Sequence, residues 1–432
     1  MVSKKALDED IRNIVLDMLV ETLEDGAFSH LVLNHTLEDH PLSLQDKAFL
    51  ERLFHGVLEQ VIYLDWIISS YSSVKLKKIK PVIRNILRMS LYQILFMDSV
   101  PDHAAVNEAA KLAKKRGYAG LVPFVNGVLR AFLRGGVKPG MPQNVKHAVP
   151  LWLYDRLVNE LGQKKAEAFF DAVREPRNEI FARLSLNGTS AEAVIKMLEE
   201  DGCEVSRITD VPEAVKLKLA CNLTDLAAWK QGHIVIQDLS SIMVGRTAAE
   251  FADPSATKQI LDVCAAPGGK SLHLASLFPE AEVLARDLSR NKVRLIEENI
   301  RRCGLGNIRA EAHDALIFDD ALREKMDLVL ADLPCSGIGV IGRKPDIKLR
   351  LKEEDLQSLS ELQRDILAVV SGYVREGGLL LYSTCTVNRS ENQENTEWFL
   401  RNHPFELLTE RQYLPGREEG DGFYLACMRK KQ

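Results

Sequence analysis

Two cysteines in this sequence stand where a thiol can react. The runs "MDLVLADLPCSG" and "LLLYSTCTVNRSENQEN" both begin as short apolar stretches of the kind that form buried parallel strands. Each delivers a cysteine, Cys335 or Cys385, at its carboxyl end. In an open α/β sheet that end is the rim where ligands bind. Free cysteine is also among the most buried residue types, so two inert core thiols are the competing reading, and the strand-end positions argue against it. A carboxyl, Asp332, stands three residues before Cys335. The residues alone do not choose between the two thiols as nucleophile.

A third strand-like run, "QILDVCA", leads into "DVCAAPGGKS", residues 262–271, and then into a helical pattern. A glycine-rich turn after the first strand of a doubly wound sheet is where nucleotide-like ligands sit. It is not a phosphate-binding P-loop: the G-x-x-x-x-G-K-S pattern requires glycine where Cys264 stands. Pro267 also removes a backbone N–H that a phosphate cradle would use. The loop residues Cys264, Ala265, Ala266, Pro267, Gly268, Gly269 and Lys270 are therefore read as a cofactor-binding turn. Asp287 closes the next strand 19 residues beyond Gly268, a spacing at which an acid reaches ribose hydroxyls. Asp314 and Asp332 are read at the ends of the third and fourth strands. Any one of these acids is explained as a helix N-cap. Together with the glycine loop they suit a ligand with a ribose, an adenine amine and no phosphates, which describes S-adenosylmethionine better than NAD.

The elements that must position these residues follow from periodicity. "QILDVCA", "AEVLARD", "NIRAEAHD", "DLVLADLP" and "GLLLYSTC" are short apolar strands separated by helix-length segments, which predicts a parallel sheet covered on both faces. "FELL" and "GFYLACMRK" are expected to add an antiparallel pair. Ahead of them, residues 150–235 mix helices ("LWLYDRLVNELG", "AEAVIKMLEEDG") with short strands ("IFARLSL", "CEVSRI", "GHIVIQD"), a small α+β module. From Asp8 to Leu133 the apolar steps are three and four residues, the helical period. "GGVKPGMPQN", residues 135–144, is the clearest linker. The expected domains are thus 1–140, helical; 141–237, linker and α+β module; and 238–432, a Rossmann-like α/β catalytic domain.

Net charge is −5, but it is unevenly spread. Met1–Val74 carries 5 basic and 13 acidic residues, whereas Lys75–Lys138 carries 13 basic and 3 acidic. That basic block, with Lys75, Lys77, Lys78 and Lys80 in the connecting segment "KLKKIKP", is read as an electrostatic footprint for nucleic acid; a solvated helix face and neutralisation by the acidic first helices are the alternatives. The N-terminus lacks the apolar core of a signal peptide, and no apolar stretch is long enough to span a bilayer. Seven cysteines without a C-x-x-C pair make neither a disulfide framework nor a zinc site. A cytoplasmic protein with reduced thiols and no metal, acting as a monomer, is expected.

The motifs "LDVCAAPGGK", "ADLPCSGIGVIGRKPDIK" and "LLLYSTCTVNRSENQEN" resemble the S-adenosylmethionine-dependent RNA cytosine-5 methyltransferases, and "VPDHAAVNEAAKLAKKRGYAGLVPFVNGVLRAF" resembles the NusB-like RNA-binding domain. The combination resembles the RsmB (Sun/Fmu) family, which modifies a cytosine of 16S ribosomal RNA. Carbon 5 of cytosine is a poor nucleophile; a thiolate added at carbon 6, with an acid at ring nitrogen 3, turns it into an enamine carbon that accepts a methyl group. The resemblance implies that Cys385 is the nucleophile, that Cys335 assists product release and that Asp332 is the acid. It also implies RNA contacts from Arg343 and Lys344 in "GRKPDIK". Two positions depart from the family pattern: Leu333, expected beside the target-base pocket, and Arg286, which precedes Asp287. "SENQ", residues 390–393, reads as a capping box opening the next helix. A transfer RNA cytosine-5 methyltransferase is the nearest alternative, and a NusB-like assembly factor with a vestigial catalytic domain the alternative of another class.

Overall fold

The computed structural model describes residues 4–175 and 179–432, in two compact units. One comprises Met1–Arg174 with Ile341–Leu351, the other Glu175–Val340 with Lys352–Gln432.

The first unit is helical. Its principal helices are Lys4–Leu23, Ser29–Asp39, Leu44–Tyr71, Pro81–Phe96, Asp102–Lys115 and Val122–Gly135, with Leu151–Leu161 and Gln163–Arg174 following. Ser43 caps the 28-residue helix by accepting from the Asp46 N–H at 3.1 Å. That helix buries Leu50, Leu53, Phe54, Val57, Leu64 and Ile68 at helical spacing. Pro81 opens the next helix at a position that needs no N–H donor. The two helices cross at Gly56, where an added Cβ would lie 2.0 Å from the Tyr92 ring. The acidic first helices do neutralise part of the basic block. Arg84 pairs with Glu24, Arg116 with Asp17, and Arg88 reaches both Asp65 oxygens at 2.7 Å. Lys75, Lys77, Lys78 and Lys80 are left exposed, with no ion pair among the described residues.

The segment Ile341–Leu351 packs into this helical unit. The Ser29 hydroxyl donates to Asp346 Oδ1 at 2.6 Å, and Lys348 Nζ donates to the Glu59 carbonyl at 2.8 Å. The Arg350 guanidinium donates to the Ala27 carbonyl and lies 4.4 Å over the Phe28 ring. Burial pushes Lys348 down to about 8, against the opposing charge of Glu59. Burial likewise pushes Glu59 up to about 7, against Lys348 and Arg174. Lys348 binds its proton more weakly in the fold than in the unfolded chain. The resulting cost is complete below about pH 8 and is relieved as pH rises towards the ordinary lysine value of 10.5. Glu59 acts in a separate window, stability falling as pH rises from 4.5 to about 7. Wild-type protein is therefore expected to gain up to ~3 kcal/mol on Lys348→Met as pH rises from about 8 to 10.5. Denaturant unfolding of both proteins across that range checks this; a constant difference refutes it.

The second unit contains two sheets. The small one has β1 (Ile180–Leu184), β2 (Glu204–Arg207), β3 (Ala214–Lys218) and β4 (Ile234–Ile236) in the order β2-β3-β1-β4, all antiparallel. β3 was not anticipated: in "AVKLK" two lysines interrupt the apolar pattern, yet Val215 and Leu217 are fully buried. The helices Leu151–Leu161 and Gln163–Arg174, which precede this module in the chain, pack with the helical unit.

The large sheet has β5 (Gln259–Asp262), β6 (Glu282–Asp287), β7 (Ile308–Ala312), β8 (Met326–Asp332), β9 (Val374–Thr384), β10 (Phe405–Tyr413) and β11 (Phe423–Lys430). Its order is β10-β11-β9-β8-β5-β6-β7. The five central and first-edge strands are parallel, and β11 and β10 close the other edge antiparallel. Both faces are covered, as continuous apolar strands require. On β8, Leu328 and Leu330 enter one core while Val329 and Ala331 enter the other. On β9, Leu379 and Leu381 alternate in the same way with Leu380 and Tyr382. Strand order reverses at β5, between β6 and β8, and the carboxyl ends there form the crevice that such sheets use for ligands.

Candidate active site

Residues from four strand ends form the site. After β5 the chain passes through Val263–Gly268 into the helix Gly269–Leu277. Gly268 has φ +105°, and a Cβ there would press on Ile296 at 3.2 Å, so the position requires glycine. Asp287, the last residue of β6, accepts from the Ala266 N–H at 3.2 Å and so ties this loop to the neighbouring strand. Asp314 lies two residues beyond β7, in a turn where it accepts from Leu316 N–H, rather than at the strand's last position. Leu288, Leu316 and Ile317 are exposed beside these two acids.

Asp332 ends β8 and is held from two sides. Lys270 Nζ donates to Oδ2 at 2.6 Å, and the Ser383 hydroxyl of β9 donates to Oδ1 at 2.7 Å. Burial alone would push Lys270 down, but the Asp332 charge and hydrogen bond, together with Cys385, outweigh it and hold the ammonium up. By the same interaction the ammonium favours a thiolate at Cys385. Cys385 follows the last residue of β9, and its Sγ lies 3.2 Å from Cys335 Sγ. Both thiols are half-buried. The hydrogen bond with Cys385, burial, and the charges of Cys385 and Glu391 push the Cys335 thiol well up, against one backbone N–H at Gly337. Gly339 brings the following turn against this pair: its N–H donates to the Cys385 carbonyl at 3.1 Å, and a Cβ on it would lie 1.9 Å from the Gly422 oxygen.

The glycine-loop residues therefore converge with Asp287, Asp332, Cys335 and Cys385 in one unit. Burial, and next the charge of Asp262, pushes the Cys264 thiol up to about 12, so it is not a nucleophile. Two departures from the family pattern find their structural setting, and one sequence expectation changes. Leu333, the residue after Asp332, is buried in a core cluster with Tyr382 and Phe399. Arg286 is engaged by Glu311 at 2.7 Å and Asp319 at 2.6 Å. "SENQ" is not a capping box: the helix is Gln393–Asn402, its N-cap Asn392 makes no side-chain cap, and Glu391 is fully buried against the turn after Cys335. Arg343 and Lys344 are exposed, and they belong to the segment packed in the helical unit. The sequence did not pair Lys270 with Asp332; its position in the glycine loop gave it a cofactor role only.

Such a sheet, with a glycine loop after its first strand and acids at the strand ends beyond, defines a Rossmann-like methyltransferase. The comparisons make the class specific. Residues 249–429 match the 16S rRNA methyltransferase RsmB/F family, residues 9–134 the NusB family, and residues 149–224 the ferredoxin-like domain of RsmF/B-like methyltransferases. The probable ribosomal RNA small subunit methyltransferase B of Bacillus subtilis is 36% identical, over 98% of this chain and 99% of that protein. The Proteus mirabilis ribosomal RNA small subunit methyltransferase B is 30% identical with the same coverage. The crystal structure of PH0851 is 26% identical and superposes with a TM-score of 0.82 over 98% of both chains. The chain belongs to the ribosomal RNA small subunit methyltransferase B family. Among the described residues no helix is long and apolar enough to cross a membrane.

Proposed function

We propose that this protein methylates carbon 5 of a cytosine in small-subunit ribosomal RNA through a covalent adduct on Cys385, with S-adenosylmethionine as methyl donor. The observation that carries the reading is the pair of thiols 3.2 Å apart, with the Lys270–Asp332 pair beside Cys385. The site's residues fit the cofactor. Asp262 Oδ1, at the root of the glycine loop, is buried without a hydrogen-bond partner, an acceptor that an ammonium group satisfies. Burial, eased by the Ser271 hydrogen bond, pushes Asp262 up to about 7. Asp287 and Asp314 supply acceptors for a ribose and an amine, and Leu288 and Ile317 supply apolar surface for a purine. When bound, S-adenosylmethionine offers an electrophilic methyl group.

The Cys385 thiolate, favoured by the Lys270 ammonium, adds to carbon 6 of the cytosine. The electron pair displaced towards ring nitrogen 3 takes up the proton that Lys270 and Asp332 hold between them. Carbon 5, now enamine-like, receives the methyl group. Loss of the carbon 5 proton to solvent water returns its electron pair to the C5–C6 bond and expels Cys385 as a thiolate, and ring nitrogen 3 returns its proton to the Lys270–Asp332 pair. Cys335, protonated, donates a hydrogen bond to the departing sulfur and so speeds release. The exposed Lys75, Lys77, Lys78 and Lys80, with Arg343 and Lys344, supply phosphate contacts.

Cys335→Ala protein, incubated with S-adenosylmethionine and total RNA and then denatured, is expected to retain RNA covalently bound through Cys385 at one small-subunit cytosine. No adduct together with lost methylation would make Cys335 the nucleophile. An adduct confined to transfer RNA would refute the ribosomal substrate.

A further inference from the structure

Glu391 is a fully buried carboxylate with no cationic partner among the described residues. Its Oε2 accepts from the Ser336 N–H at 2.9 Å and from Gln363 Nε2 at 3.0 Å, and its Oε1 accepts from Asn388 Nδ2 at 2.9 Å. Three N–H donors and no hydroxyl are what an ionised carboxylate takes. Gln363, on the helix Glu353–Ser371, also donates to the Pro334 carbonyl at 2.8 Å, so the backbone is gripped on both sides of Cys335. The Ser336 hydroxyl lies 2.8 Å from the Thr386 hydroxyl, joining the residue after one cysteine to the residue after the other. Tyr382 donates to Gln363 Oε1 at 3.0 Å and to the Glu391 carbonyl, closing the network beneath the thiols.

A buried charge without a cationic partner is costly, and a backbone clamp alone does not require it, since a glutamine offers an acceptor too. The charge has an effect that the clamp has not: it opposes a second negative charge nearby. The titratable groups facing Cys335 are the Cys385 thiol at the end of β9, the Tyr382 hydroxyl within β9 and the Glu391 carboxylate from the loop beyond. Lys270, the cation of the site, acts on Cys385. Glu391 thus adds negative charge behind the Cys335 turn, while the Lys270 ammonium is held by Asp332.

We propose that Glu391 is a positioning residue that divides the labour between the two cysteines: its buried carboxylate clamps the turn carrying Cys335 and disfavours a thiolate there, so that Cys335 stays the S–H donor and Cys385 the nucleophile. This deepens the function proposed above and rests on it for its meaning, although its effect on Cys335 is measurable without RNA.

The test is the pH profile of Cys335 alkylation by iodoacetamide, read by peptide mass spectrometry in Cys385→Ser protein with and without Glu391→Gln. The expected result is a midpoint about one pH unit lower with Glu391→Gln, hence roughly tenfold faster alkylation below the midpoint, and an unchanged rate at high pH. A merely structural role predicts faster alkylation at every pH with the midpoint unmoved, and an unmoved midpoint overturns the proposal. Should Glu391→Gln not fold, Glu391→Asp decides: with the charge retained the midpoint stays high, and a fall to that of an ordinary thiol overturns the proposal. If the Cys335→Ala adduct is absent while the alkylation midpoint shifts, the proposed reaction fails and the electrostatic role of Glu391 stands.

Discussion

Replacing Cys385 by alanine is expected to lower methyl transfer by ~10⁴-fold or more, because removing a covalent nucleophile leaves only positioning and electrostatic effects. Calorimetric binding of S-adenosylmethionine is expected to be retained, since Cys385 follows β9 whereas the glycine loop and Asp287 are set by β5 and β6. The same substitution in the Cys335→Ala background should abolish the trapped RNA. Residual methylation within tenfold of wild type would remove Cys385 from the reaction.

Lys270→Met is the second large effect. The ammonium is bonded to Asp332 at 2.6 Å and favours charge on Cys385. Its loss strips Asp332 of a partner and removes the proton that the pair supplies to ring nitrogen 3. A loss of ~10²–10⁴-fold in kcat/KM is expected, the range for general acid and electrostatic contributions. The direction of the pH effect follows from charge. Without the ammonium the reactive thiolate forms at higher pH, so the acid limb of the pH–rate profile should move upward. A profile that falls in height without moving would mean that Lys270 serves only binding.

How much of this was legible in the sequence depended on the range over which each residue's role is decided. The parallel sheet was legible because its strands are buried on both faces: a run such as "DLVLAD" needs no register to be recognised, and β8 does alternate between two cores. The glycine loop and the acids were legible because strand ends are local features. The end of β7 was placed two residues late, at Asp314, where the chain has already turned. What failed was decided by tertiary contact. Glu391 sits in a stretch with the spacing of a capping box, and only the packing of the turn after Cys335, 55 residues away in the chain, turns it inward. The Lys270–Asp332 pair spans 62 residues. β3 was missed because its lysines hide two buried apolar side chains.

The helical unit is not contiguous in the chain. Eleven residues, Ile341–Leu351, are encoded within the methyltransferase half and fold with residues before Glu175. A recombination event that joins residues 1–174 of one relative to the remainder of another would separate Asp346 from the Ser29 that meets it, and Lys348 from the Glu59 carbonyl and carboxylate that receive it. The NusB-like helices are therefore not a cartridge that gene fusion can exchange at a single junction. Two stretches of the gene must travel together, and the covariation to look for in the lineage runs between residues 27–59 and residues 346–350.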